Sequence, residues 1–372
     1  MTGPNYIALA VPFFFLLIGL EIVLARAHRR RVYRLADAVA DLGCGIAQQV
    51  VVAFAGAVLL AAYATVHDRF RLVTLAATSP WAWLLAFAGV DLAYYWWHRL
   101  SHRVNLLWAV HVVHHQSEDY NLAVALRQAI LSGFTSLPFY LPLALLGVPP
   151  LAYATMLSLS TLYQFWIHTE LVGKLGRAEA VLNTPSHHRV HHAVNARYLD
   201  RNYAATFIVW DRLFGTFAEE REPAVFGTVK PLESFNPLWA QVEYFVQLWR
   251  KARSLPRWSD RLKTWIMAPD WKPAGAAWPE PPVEGRVKHE APLGRRGRLY
   301  AGLQLVPVVA ATFVLMMWGA AMPRGTALLL AALVLWSLAS LGGLLDGRRW
   351  ARPLEAGRLL AVAAVAVAAA VA

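Results

Sequence analysis

The chain has 372 residues, of which 58% are hydrophobic and only 16% charged, against about 25% charged in soluble proteins. So few charges cannot cover a soluble surface of this size; the single cysteine, Cys44, excludes a disulfide scaffold and iron–sulfur ligation, and 16 Trp, 16 Phe and 13 Tyr exclude disorder over most of the length. The net charge of +12 fits a membrane protein that keeps its Lys and Arg on the cytoplasmic side, and no basic helix or aromatic-studded basic sheet points to nucleic acid.

The first apolar run, Tyr6–Leu24, carries only Glu21 as a charge and is followed at once by Arg26, Arg29, Arg30, Arg31 and Arg34. A secretory signal has its positive charge before the apolar core, so this segment reads as a retained anchor with its N-terminus outside. Leu42–Ala64 has no charge over 23 residues and is long enough to span. Trp81–Trp97 reads as a third span, interrupted only by Asp91. Ala129–Leu146 and Leu151–Ile167 are joined by Gly147-Val148-Pro149-Pro150, which predicts a tight hairpin, with Pro138 and Pro142 kinking its first arm. A polar stretch runs from Gly173 to Arg298, with Pro-rich punctuation at Trp278–Val283. Two more uncharged runs follow, Leu299–Met322 and Gly325–Leu345, then Arg348, Arg349, Arg352 and Arg358, and a last short run, Leu359–Ala372, that suits an interfacial segment.

Counting spans from an outer N-terminus, His98 falls at the inner end of the third span, and His168 at the inner end of the hairpin. Every dense Arg cluster then lies on that same side. The expected organisation is N-terminal membrane helices over 1–75, a catalytic region over 76–250, a cytoplasmic linker over 251–298 and C-terminal membrane helices over 299–372. The fold class is all-α: a polytopic helical bundle with a cytoplasmic, histidine-rich metal cap.

Ten of the 13 His fall in two short windows. His98 and His102 are spaced i, i+4; His111, His114 and His115 are spaced i, i+3, i+4, and so are His188, His191 and His192. On a helix each set shares one face. Thr184 as N-cap and Pro185 at the first helical position would start the last helix where it is needed. Packing eight imidazoles together without a cation leaves polar groups unsatisfied, at roughly 1–3 kcal/mol each. Eight or nine imidazoles suit two ions with four or five protein ligands each. Imidazole favours iron, copper, nickel and zinc. Spare coordination positions at a membrane surface suit oxygen activation, for which iron is the usual metal, while the spacing alone leaves zinc and copper open.

The set HxxxH, HxxHH and HxxHH resembles the fatty acid hydroxylase and sterol desaturase superfamily of membrane di-iron oxygenases. Asp91–Arg99, reading DLAYYWWHR, is similar to the family's third-helix ending. His111–Gln128 and Asn195–Phe217 most resemble the alkylglycerol monooxygenase branch. The resemblance covers residues 80–240 well. It implies His98, His102, His111, His114, His115, His188, His191 and His192 as iron ligands, with His168 as a further one. It also implies two iron ions, O2 as co-substrate, a lipid substrate drawn from the bilayer and an external reductant, tetrahydrobiopterin in the alkylglycerol branch. If the substrate is an ether lipid, hydroxylation gives a hemiacetal that breaks down to aldehyde and alcohol.

His187 lies about 100° from His188 on the same helix and is expected outside the ligand set. Asp91, seven residues before His98, is expected to accept an N–H from a ligand histidine. Asn195, Asp200 and Asn202 could orient ligands or shape a turn, and Glu118, Asp119 and Asn121 could cap the next helix. Tyr94, Tyr95, Trp96 and Trp97 read as an interfacial belt. No dinucleotide fingerprint, P-loop or cytochrome signature is present, so the electrons must come from a separate donor. The expected location is a multi-pass protein of the bacterial inner membrane. Two other readings stay open: sterol, carotenoid or fatty-acyl hydroxylation or desaturation within the superfamily, and metal transport, whose sites usually lie along a path within the membrane.

Overall fold

The computed structural model describes residues 5–274 and 285–371; Trp278–Val283 lies outside them. The described residues are helical, with only two isolated bridges, Leu182–Phe207 and Ala193–Phe226, and no strand. In chain order the helices are α1 (Tyr6–Ala27), α2 (Leu35–Phe70), α3 (Pro80–Arg103), α4 (Asn105–His115), α5 (Leu122–Ala125), α6 (Ser132–Leu145), α7 (Pro150–Trp166) and α8 (Pro185–His192). After α8 come α9 (Val209–Leu213), α10 (Pro237–Ala240), α11 (Glu243–Ser254), α12 (Trp258–Ile266), α13 (Arg295–Trp318), α14 (Arg324–Leu345) and α15 (Ala351–Val371).

Among the described residues four helices are long and apolar enough to cross a membrane: α1, α2, α13 with the turn that follows it, and α14. The helix predicted at Leu42–Ala64 extends at both ends to 36 residues, about 54 Å, well beyond the ~30 Å hydrocarbon core. Its first two turns lie below that core, among polar groups of the site end. The third predicted span differs more. α3 has 24 residues, but Asp91 interrupts it at its middle and its second half holds His98 and Arg99, so it is not one of the four. α6 and α7 form the predicted hairpin with arms of only 14 and 17 residues, short of a full crossing. Residues 126–131 leave the helix and run against α4 instead, where Arg127 Nε donates to the Val113 carbonyl at 2.6 Å. α15 starts at Ala351, before the predicted run, because Glu355 is satisfied: it accepts from Arg358 and Ser340 and from the Tyr300 hydroxyl.

Two apolar cores hold these helices. α2, α13 and α14 bury Val39, Ile46, Leu305, Leu338 and Leu341 against one another. α2, α3, α6 and α7 bury Tyr63, Val90, Tyr140, Leu143 and Tyr153. The far ends of α2 and α6 meet: Leu72 N–H donates to Leu145 carbonyl at 2.7 Å, and Tyr63 hydroxyl to Val148 carbonyl at 3.1 Å. Gly147 makes the α6–α7 turn at φ +79°, where a Cβ would sit 1.9 Å from the Val73 carbonyl oxygen. α3 and α7 therefore both run from this end towards the opposite one, which carries the histidines. The same end holds Arg34, between α1 and α2, whose backbone N–H and Nε donate to Asp119 at 2.8 and 3.0 Å, and Asp346, just after α14, which accepts from Phe235 N–H at 2.6 Å.

Candidate metal centre

Nine buried histidines converge at this end in two groups. His98, His102, His111, His115 and His191 form one; His114, His168, His188 and His192 form the other, and within each group one ring nitrogen per residue lies within 4.8 Å of all the rest. The helices impose this. α3 brings His98 and His102 on one face, and α4 brings its three on another. α8, started by Thr184 and Pro185, supplies three, and His168 follows α7 directly. The i, i+3, i+4 spacing splits across the groups: His114 and His192 face one side while His111, His115 and His191 face the other.

The hydrogen bonds fix which nitrogen carries the proton. His98 Nδ1 donates to the Tyr203 carbonyl at 2.7 Å, His114 to Arg127 at 2.8 Å, His168 to Gln164 at 2.7 Å and His191 to Arg201 at 2.9 Å. A carbonyl only accepts, so each Nδ1 holds the hydrogen and each Nε2 a bare lone pair. His114 and His168 then point lone pair at lone pair across 3.2 Å. His102 Nε2 and His191 Nε2 are buried with no hydrogen-bond partner. Such contacts are unfavourable unless a cation lies between them. The Nε2–Nε2 separations of 2.9–3.2 Å match ligands at ~2.1 Å from one ion and about 90° apart. Burial keeps the rings neutral, the form that binds a metal. It drops His114 to about 4 and His191 to about 3, and puts His111, His115, His188 and His192 well below the ordinary histidine value.

The residues expected around the ligands sit elsewhere. Asp91 accepts no histidine N–H. It takes Thr206 N–H at 2.8 Å, Phe207 N–H at 3.1 Å and Trp210 Nε1 at 2.8 Å, so it pins the loop after α8 onto α3. Asn195 likewise bonds no ligand: its Nδ2 donates to Glu222 and to the Pro223 carbonyl, and its Oδ1 accepts from Val225. His187 belongs to neither group; its ring meets Phe217 edge-on at 5.4 Å. Asp200 and Asn202 adopt φ +60° and +55°, which Asp and Asn tolerate. Asn202 donates to the His187 and Ala218 carbonyls, folding that loop over the site. Asn121 caps α5, as expected, by accepting from Ala123 N–H. Tyr95 and Trp97 are buried rather than in a lipid-facing belt, and Trp97 lies edge-on to His111 at 5.5 Å. Tyr95 packs instead on Tyr203 and Phe214 and shares a hydrogen bond with Thr216, and Trp97 Nε1 donates to Thr135 of α6 at 3.3 Å.

Three features left no mark in the sequence pattern. Asp211 is fully buried and accepts from Tyr203 N–H at 2.8 Å and Ala204 N–H at 2.9 Å, holding the carbonyl that orients His98. Arg127 is also buried; it donates to the Val113 carbonyl at 2.6 Å and pairs with Asp41 at 3.1 Å while its own carbonyl receives His114. Tyr203 and Trp108 wall the five-histidine group, and Tyr120 walls the other, stacked on Phe226 at 4.6 Å.

Nine neutral imidazoles, split five and four at one end of a membrane-crossing helical bundle, define a histidine-rich membrane metalloprotein. The sequence profile of the fatty acid hydroxylase family matches residues 83–216, from α3 to the loop that closes the site. The chain is 38% identical over 363 residues to alkylglycerol monooxygenase of Homo sapiens, covering 96% of this chain and 81% of that protein. It is 40% identical over 358 residues to alkylglycerol monooxygenase of Danio rerio, covering 95% and 80%. It is 26% identical over 152 residues to ornithine lipid hydroxylase OlsE of Rhizobium tropici, covering 39% and 46%. No solved structure matches. The chain therefore belongs to the fatty acid hydroxylase family, within its alkylglycerol monooxygenase group.

Proposed function

We propose that this chain is a membrane-bound, O2-dependent lipid monooxygenase that hydroxylates the ether carbon of an alkylglycerol, with two iron ions held by the five- and four-histidine groups. The observation that carries this is the pairing of the two groups, with two carbonyl-fixed histidines in each. The names of the full-length relatives support the substrate.

When bound, the irons would supply reduction of O2 and insertion of one oxygen atom into a C–H bond. The chain's own residues do the rest. The carbonyls of Tyr203, Arg127, Gln164 and Arg201 hold four rings in one tautomer, so no ring must reorient when a metal arrives. Trp97, Trp108, Tyr120 and Tyr203 exclude water around the ligands. The second oxygen atom leaves as water, and its two electrons and two protons come from an external reductant, tetrahydrobiopterin or a separate electron-transfer protein. The hydroxylated ether carbon is a hemiacetal. Its new hydroxyl proton passes to the ether oxygen as the C–O bond breaks, giving an aldehyde and a free glycerol hydroxyl. We place the site on the cytoplasmic face, which in a bacterium is that of the inner membrane. The arginines beside α1, α2, α13 and α14 on that side support this placement.

Anaerobic purification followed by metal analysis and turnover tests the reading. Close to two irons per chain are expected, with aldehyde released from a long-chain alkylglycerol only when O2 and tetrahydrobiopterin are both supplied. One zinc and no iron would overturn the di-iron assignment. Oxidation of a sterol or fatty-acyl lipid, with the ether untouched, would overturn the substrate.

A further inference from the structure

The polar stretch between the site loop and α13 holds two amphipathic helices, α11 and α12, whose inner faces pack on the protein through Leu248, Ala252 and Thr264. Their outer faces are also apolar. Trp249 is 57% exposed, Trp258 69%, Leu262 51% and Ile266 61%. Trp258, Leu262 and Ile266 are spaced i, i+4, i+8 and form one stripe on α12, and Trp249 of α11 and Val242 just before α11 are exposed as well. The same 24 residues, 243–266, carry six Lys and Arg against two Asp and Glu, and Arg250, Arg253, Arg257 and Lys263 are exposed. Arg253 lies 6.0 Å from the Trp249 ring centre.

The depth of this pair follows from α10, which ends three residues before α11 begins. Pro237 of α10 is wedged between two spanning helices. A Cβ on Gly43 of α2 would meet it at 2.9 Å, and one on Gly342 of α14 at 2.8 Å. Gly342 is three residues from the end of α14. α11 therefore leaves the bundle where the spanning helices leave the hydrocarbon core. The end of α12 then returns to the histidine-bearing helix α4, where Asn105 N–H donates to the Met267 carbonyl at 2.9 Å.

We propose that α11 and α12 lie in the headgroup layer of the bilayer on the site side, with the Trp249–Trp258–Leu262–Ile266 face in the acyl boundary and their arginines on anionic lipid phosphates. Trp at the boundary and basic residues beside it are the composition that such helices require. A face of this kind turned to water would be an aggregation liability. This placement is independent of the reaction catalysed.

The test uses the full chain, with Cys44→Ala to clear the one native thiol, in nanodiscs of phosphatidylcholine and phosphatidylglycerol. Nitroxide is attached at Trp258→Cys, Leu262→Cys or Ile266→Cys, and at Ser259→Cys or Lys263→Cys as flanking positions. Collision with O2 relative to a water-soluble nickel chelate is expected to be several-fold higher at 258, 262 and 266 than at 259 and 263. Leaving out phosphatidylglycerol is expected to shift the three stripe labels towards water. Equal nickel access at all five positions would overturn the proposal, and so would spin–spin broadening that disappears on dilution with unlabelled chain, which marks a second copy on this face. A depth unchanged without phosphatidylglycerol would overturn the anionic surface. Iron content measured on each variant confirms that the labelled chain is folded.

Discussion

His114 and His168 present two lone pairs to each other at 3.2 Å because each ring has already given its only proton to a backbone carbonyl. This pair ties the chain's covalent structure most directly to a metal. His188 lies 2.9 Å from His168 and 3.2 Å from His192 through Nε2, inside the same group, whereas His187 faces Phe217. His188→Ala is therefore expected to empty the four-histidine site and abolish turnover, while His187→Ala keeps its iron and much of its activity. Iron per chain and membrane expression, measured on both, decide it; iron lost from the His187 variant alone would place the ligand stripe one residue earlier. The same burial predicts a pH dependence of the metal-free protein. His114 at about 4 and His191 at about 3 stay neutral when folded, while an unfolded chain takes up protons from about 6.5 downward. The unfolded state then binds more protons, so stability falls as pH drops below about 6.5 and continues to fall until the folded pKa values are reached. At pH 5 this amounts to about 2 kcal/mol for each such histidine. A thermal midpoint of the metal-free protein that is flat between pH 7 and pH 5 would contradict it. The convergence of the nine histidines was legible in the sequence because a cluster built from side chains on helices needs them at helical spacing. Tyr203 and Arg127 were not, because they serve through backbone carbonyls, which every residue has. Asp91 misled for the same reason: its position on the His98 face is real, but its partners are backbone N–H groups far along the chain.

At the scale of elements, α2 does two jobs. Its far half crosses the membrane, and its first turns carry Asp37 and Asp41 into the site's supporting network, where Ser117 donates to Asp37 at 2.7 Å and Arg127 to Asp41 at 3.1 Å. Hydropathy could read only the first job, so the predicted span stopped at Leu42. The charged turns before it register as loop in any apolar count, although each charge is paired once folded. α2 comes closest to the chain beneath α4 at Gly45, where a Cβ would sit 2.1 Å from the Leu126 carbonyl oxygen. A backbone atom cannot swing aside as a side chain does. Gly45→Ala is expected to push α2 away from Leu126 and Arg127, loosening the carbonyl that holds His114. Lower thermal stability should accompany a lower iron content, with the spanning helices still inserted. An alanine variant with wild-type iron and stability would show that α2 and the 126–127 backbone can separate at no cost. The predicted hairpin was legible from Gly147-Val148-Pro149-Pro150, but its short arms were not. Apolar composition does not distinguish a residue facing lipid from one buried under α4.

For the whole molecule, the arrangement reduces to two ends. Leu72 and Leu145 join the far turns of α2 and α6, and Arg324 starts α14 after the α13–α14 turn. At the other end lie the nine histidines, the Arg34–Asp119 contact, the start of α13 at Arg295 and the end of α14 at Leu345. Counting apolar runs reached the same pairing of His98 with His168, even though α3, α6 and α7 are not full crossings by length and composition. An element that runs to the far end and back preserves parity whether or not it traverses the whole core. The expected outcome is one-sided labelling. Cysteines placed at the exposed Ala196 and Arg348 should react with an impermeant maleimide from the same face of sealed vesicles, and cysteines at Ala77 and Arg324 from the opposite face. Cys44 is buried and contributes no background. Arg26, Arg29, Arg30, Arg31, Arg295, Arg296, Arg348 and Arg349 all lie beside span ends on the 196/348 side, and the positive-inside tendency is what supports the proposal that this face is the cytoplasmic one. If Ala196 and Arg348 reacted from opposite faces, the histidines contributed by α8 and the end of α14 would be separated by the bilayer. The contact of Asp346 with Phe235, which ties α14 to the segment following the site loop, could then not form.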